Sequence, residues 1–103
     1  MSSDLQWPTK DPDEVLDYDA DWNDAMKTGD AIVAVVWEIS PVTVPPLVSE
    51  NETVDAPTRT ATIWLSGGLA GADYEINCHV TTDAAPDARE HDRKIGLTVR
   101  ELL

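Results

Sequence analysis

The stretch VLDYDADW, residues 15–22, decides how the rest of the chain is read. Every second residue is acidic: Asp17, Asp19 and Asp21. Leu16, Tyr18, Ala20 and Trp22 alternate with them. Spelled D-x-D-x-D, the stretch resembles a metal loop. Taken as an alternation of period two, it is a strand with one apolar and one acidic face. The loop reading fails on spacing. A calcium loop of EF-hand type starting at Asp17 requires Gly at its sixth position and Glu at its twelfth, where the chain has Trp22 and Thr28. It also fails on geometry. Along a strand the three carboxylates stand about 6.5–7 Å apart, two residue rises each, whereas calcium gathers its oxygens at about 2.3–2.6 Å from a bent loop. A half-buried strand follows, with Leu16, Tyr18, Ala20 and Trp22 toward the core. The three Asp face water or a basic partner, and a row of charge there also discourages edge-to-edge aggregation.

The same alternation recurs further on. AIVAVVWEIS, residues 31–40, is rich in Val and Ile and apolar on both faces until Glu38, which predicts a central strand. TATIWLS, residues 60–66, sets Ala61, Ile63 and Leu65 against Thr60, Thr62 and Trp64. YEINCHVTT, residues 74–82, points Tyr74, Ile76, Cys78 and Val80 inward. KIGLTV, residues 94–99, adds Ile95, Leu97 and Val99. Pro41, Pro45 and Pro46 reduce PVTVPPLVS to an edge strand or extended loop. The acidic ENETVDAPTR, residues 50–59, reads as a loop, and DAAPDAREHD as a turn. NDAMKTGD, residues 23–30, holds turn chemistry with room for one helical turn. Short strands at this spacing predict an all-β fold, a small immunoglobulin-like antiparallel β-sandwich over residues 15–103.

Residues 1–14 carry Pro8 and Pro12 and no periodicity, and are expected to form an extended N-terminal arm. Trp7 within it is costly to leave in water. It either folds back onto its own domain or docks on a neighbouring subunit.

Composition excludes several functions. A chain of 103 residues fits one domain. Twenty Asp and Glu against seven Lys and Arg give a formal charge of −13, which repels phosphate backbones and anionic lipid surfaces. Neither nucleic acid nor membrane is an expected partner. A basic protein partner is compatible with the charge, and solubility accounts for it as well. Cys78 is the sole cysteine, so an intrachain disulfide cannot form. The N-terminal MSSDLQWPTKDPDE lacks the apolar region of a signal peptide, which leads us to expect synthesis and retention in a cytoplasm.

Catalytic groupings are missing as well. Cys78 and His79 are adjacent on a strand and point to opposite faces, so they cannot work as thiolate and base. His91, within the acidic REHD, reads as solvated. SGGLAG joins two strands and lacks the lysine of a phosphate-binding loop. No catalytic residue, metal ligand, cofactor or small-molecule substrate is expected.

The longer motifs carry a resemblance. WPTKDPDEVLDYDADW, GDAIVAVVWEI, TATIWLSGGLAGADYEINCHVTT and DRKIGLTV together resemble the fiber–tail adaptor proteins of tailed phages. Their typical pattern runs K-D-P-[DN]-x-x-L-D-Y-x-x-D-W, then G-D-T-I-x-x-x-x-W, then T-A-T-x-W-L-S-G-G-x-A-G-x-x-Y-x-[VI]. Lys10, Asp11, Pro12, Leu16, Asp17, Tyr18, Asp21 and Trp22 match the first block. Gly29, Asp30, Ile32 and Trp37 match the second, with Ala31 in place of Thr. Residues 60–68 with Ala70, Gly71, Tyr74 and Ile76 match the third, and residues 40–58 carry none of the pattern.

The resemblance implies a virion structural protein of the tail or neck, made in the host cytoplasm, without catalysis and in multiple symmetry-related copies. It would join the tail machine, an adaptor or nozzle ring, to fibers or other appendages. On that reading Trp7, Pro8, Lys10, Asp11 and Pro12 of the arm are expected at a partner interface, with Asp17, Asp19 and Asp21 facing a basic surface. Three other readings stay open. One is a free module reading sugar through Trp64 with Thr60, Thr62 and Asn77. The second is a calcium-dependent adhesion domain built on the acidic row. The third is an acidic inhibitor of a host protein.

Overall fold

The computed structural model describes residues 5–27, 29–55 and 57–102. The first four residues of the expected arm and the last of the expected domain lie outside that set. Seven strands run in chain order: β1 (Leu5–Gln6), β2 (Leu16–Asp21), β3 (Ile32–Ser40), β4 (Leu47–Asp55), β5 (Thr60–Gly67), β6 (Asp73–Thr82) and β7 (Glu90–Thr98). They form two sheets, β2-β5-β4 and β1-β7-β6-β3. The second, fifth and fourth strands in one layer, against the third, sixth and seventh in the other, are the strand plan of an immunoglobulin-like sandwich. The short first strand departs from that plan. It leaves β2 and runs parallel to the last strand, Leu5 opposite Ile95 and Gln6 opposite Gly96. No α-helix occurs among the described residues. A single turn closed by the Ala25 and Met26 N–H groups on the Trp22 carbonyl takes up part of the segment 23–30.

The alternating stretches become strands because one side of each has apolar company. β2 and β5 pair with Leu16 opposite Leu65, Tyr18 opposite Ile63 and Ala20 opposite Ala61. Those residues turn inward while Asp17, Asp19 and Asp21 stay exposed. β6 alternates along its whole length, with Tyr74, Ile76, Cys78 and Val80 buried. The core divides into two clusters. One gathers around Tyr18, Ile63, Leu65, Ile76 and Leu97, the other around Trp22, Met26, Ile32, Cys78 and Ile95. Each fully buried Leu, Ile or Val here contributes about 1.5–3 kcal/mol of transfer free energy. Trp7 and Trp37 pack against both clusters and join them.

A tyrosine corner of immunoglobulin type stands at the start of β6. The Tyr74 hydroxyl accepts the Leu69 N–H at 2.8 Å and lies 2.6 Å from the Thr43 hydroxyl. It ties the β5–β6 turn to the β3–β4 connection. Cys78 sits in the core without a partner thiol.

Three sequence expectations need correction. The strand expected to be central, β3, ends its sheet. Its apolar outer residues Val33 and Val36 are exposed, and its register with β6 shifts between Ile32 and Ala34. The stretch expected to be a loop, residues 50–59, continues β4 as far as Asp55. It pairs with β5 through an irregularity between Glu50 and Thr53, where Asn51 adopts φ 52°. An edge strand wet on nearly every side shows no apolar alternation, and past Leu47, its one core residue, β4 is held by its pairing with β5. β7 begins at Glu90, inside the expected turn. His91 therefore belongs to a strand, with its Nε2 buried and its ring 6.1 Å from that of Trp22.

Candidate interface

The N-terminal segment is fastened along β7. The Trp7 N–H donates to the Gly96 carbonyl and the Lys10 N–H to the Thr98 carbonyl, while Lys10 O accepts the Arg100 N–H. Of the two readings of Trp7, its own chain supplies the seat. The indole stacks on Tyr18 and lies 6.1 Å from Trp37. Tyr18 donates its hydroxyl to the Pro8 carbonyl, and burial pushes its pKa up to about 12.

Lys10 has 0% of its surface exposed. Its Nζ donates to the Asp11 and Gly67 carbonyls at 2.9 and 2.8 Å, and desolvation lowers its pKa. Gly67 offers that carbonyl from a φ of +71°, and a Cβ there would stand 2.9 Å from the Pro46 carbonyl oxygen. Asp11 is also buried. Its carboxylate accepts the N–H groups of Leu102 and Asp13, which hold its pKa below the usual range. Pro8 stays exposed and Pro12 half-exposed. Lys10 and Asp11 thus close one end of the sandwich, joining the arm, the β5–β6 turn and the C-terminal segment.

The outer face of the β2-β5-β4 sheet is different in kind. Cross-strand register places Asp17, Trp64 and Glu50 in one row. Asp19, Thr62 and Thr53 form the next, and Asp21, Thr60 and Asp55 the third. Trp64 is 37% exposed between Asp17 and Glu50. No Lys, Arg or His belongs to any of these three strands. Asp19 accepts the Thr62 hydroxyl at 2.6 Å. Asp21 accepts the backbone and side-chain N–H groups of Asn23, which depress its pKa. Five carboxylates and one tryptophan therefore share a surface with no cation of its own strands. Sequence alone reached the Asp17–Asp19–Asp21 row. Glu50, Asp55 and Trp64 join it through register, which no local pattern encodes.

The opposite sheet sets basic side chains among its carboxylates. His79 lies between Asp92, 2.7 Å from Nδ1, and Glu90, 2.9 Å from Nε2, on the outer face of β6 and β7. Both carboxylates raise its pKa, Asp92 the more. Asn77 donates to Asp92 on this same face, so the structure does not bring Asn77 to Trp64. Arg93 covers Trp22, with its guanidinium 4.3 Å from the ring centroid, and pairs with Asp24 at 3.0 Å. Among the described residues no group of three His, Cys, Asp or Glu side chains is placed to hold a metal ion. No helix among them is long and apolar enough to cross a membrane.

The model of one protein family, the podophage GP4 fiber-tail adaptor protein gp77, matches residues 10–98. The chain belongs to this family. No curated protein and no solved structure matches it. The fiber-tail adaptor family is a family of structural phage tail proteins, components of the virion. Several positions that carry the adaptor resemblance are structural. Lys10, Tyr18, Trp22, Gly67 and Tyr74 build the closed end of the sandwich and its core. Asp17 and Trp64, from the first and third motif blocks, are exposed and face each other across β2 and β5.

Proposed function

We propose that this chain is the adaptor that joins the tail machine of a podophage particle to its fibers or neighbouring appendages in the neck region. It acts there in multiple symmetry-related copies. The family match over residues 10–98 carries this reading. The outer face of the β2-β5-β4 sheet meets a basic surface of the tail partner. Asp17, Asp19 and Asp21 supply charge, Glu50 and Asp55 extend it, and Trp64 gives an aromatic contact at its centre. Aromatic residues within a polar rim are favoured anchors of protein interfaces. The arm's share is Pro8, Pro12 and the open edge of Trp7. Lys10 and Asp11, whose polar groups are engaged within the chain, act by holding that segment in place.

The test is quantitative mass spectrometry of purified particles of the encoding phage, with the major tail protein as the reference. A fixed stoichiometry consistent with the tail's symmetry supports the adaptor role. Absence from particles together with abundance in infected cells removes it and favours an inhibitor of a host protein.

A further inference from the structure

We propose that the free edge of β3 receives an extended, basic segment of a partner protein as an added strand. This deepens the adaptor reading by naming how a partner attaches, and rests on that reading for the existence of a partner.

β3 pairs with β6 on one side and closes its sheet on the other. From Ala34 to Ser40 its register with β6 is unbroken. Every second residue along that run turns an unpaired N–H and C=O outward, a template for another strand. Natural edge strands are guarded by charge, proline or a bulge. β4, the edge of the other sheet, is guarded in this way by Glu50, Glu52, Asp55 and the irregularity between Glu50 and Thr53. β3 carries one charge, Glu38, and its bulge is confined to the Ile32–Ala34 end.

Exposed apolar residues gather at the same place. Of eleven large hydrophobic residues exposed among those described, six belong to β3, β4 and the connection between them. Val36 is 53% exposed, and Val42 and Val44 are 90% exposed. The connection that presents the last two is anchored, because the Thr43 hydroxyl between them donates to the Pro45 carbonyl and meets Tyr74. Apolar groups held open on an ordered edge are a feature of binding surfaces.

Charge selects the occupant. β3 and β4 are end strands of their two sheets and approach each other at one border of the sandwich. Together they bear Glu38, Glu50, Glu52 and Asp55 and no Lys, Arg or His. A second copy would set four carboxylates against four, on chains of −13 each, a juxtaposition that costs association. A strand that alternates apolar residues with Lys or Arg instead sets its apolar side chains beside Ala34 and Val36 on one face, and turns its cations on the other face toward the layer that holds the β4 carboxylates.

The experiment titrates the full chain, labelled for amide NMR, with a capped octapeptide of alternating valine and lysine. A second peptide carries N-methyl groups on alternate backbone nitrogens. The first peptide is expected to shift the amides of residues 34–40 and to slow their hydrogen exchange. N-methylation and Val36→Lys should each weaken binding at least tenfold, a factor worth about 1.4 kcal/mol. Asp17→Asn with Asp19→Asn should leave binding within about twofold. Four results overturn the proposal: no binding, shifts centred on the Asp17 face, equal affinity for the N-methylated peptide, or a β3-mediated dimer of the free chain. If particles contain the chain while β3 ignores the peptide, the adaptor role stands and this inference falls.

Discussion

Trp7 lies face to face with Tyr18, their ring centroids 4.7 Å apart and their planes 19° from parallel. The contact joins a residue of the N-terminal segment to one from the middle of β2. The N-terminal segment thereby enters the core at Trp7, although Leu5 and Gln6 just before it stay exposed and are held by the ladder with β7.

Trp7→Ala is therefore expected to destabilise the isolated chain by about 2 kcal/mol, less than for a fully buried aromatic because the ring is half-buried. At about 4–8 °C per kcal/mol for a domain of this size, the melting temperature should fall by roughly 10 °C. Thermal unfolding followed by tryptophan fluorescence or calorimetry reads it directly. An unchanged melting temperature would place Trp7 outside the core.

Lys10→Met keeps the length of the side chain and removes its donor. The Asp11 and Gly67 carbonyls then lose Nζ at the closed end of the sandwich. The expected loss is about 1–3 kcal/mol, the cost of leaving buried acceptors unpaired. Denaturant titration should show a lower midpoint with an unchanged slope.

Tyr74→Phe removes one hydroxyl and two contacts, those to the Leu69 N–H and the Thr43 hydroxyl. A loss of about 1–2 kcal/mol is expected. Faster hydrogen exchange at the Leu69 amide should accompany it.

His79 makes stability depend on pH. Its folded pKa is raised above the ordinary 6.5, first by Asp92 and then by Glu90. Below the ordinary value both folded and unfolded chains hold the proton, and the contribution is fully present. As pH rises through the raised folded value the proton leaves and the contribution is lost. Melting should therefore weaken as pH is raised from 6 toward 8, more in the natural chain than in His79→Gln. The site is open to solvent, so added salt should shrink the difference. Asp92 and Asp11, with lowered pKa values, act in the other direction and lose their contributions as pH falls through those values.

The strands buried on one face were legible because that face writes itself into the sequence. β2, β5 and β6 alternate, and their inward residues are those the period selects. β4 was not legible, since LVSENETVD has water on nearly every side and so no contrast to read. β3 misled in the opposite sense. Its two apolar faces suggested company on both sides, but the sandwich covers only Ile32 and, in part, Val35, Trp37 and Ile39. Lys10 gave no local sign of burial, because its seat comes from two carbonyls, one of them 57 residues away. Half of the acidic face was visible as the Asp17–Asp19–Asp21 row. The remainder depends on which strand lies beside which.

Cys78 is fully buried beneath both sheets, and its thiol is held near a pKa of about 11 by desolvation. Little thiolate forms at neutral pH, and no oxidant in the medium has a path to the sulfur. With one cysteine, the fold has no bond that reduction could open and none that oxidation could close. A virion part of this design is indifferent to thiol–disulfide exchange. Passage from reducing to oxidising surroundings neither makes nor breaks a disulfide within it.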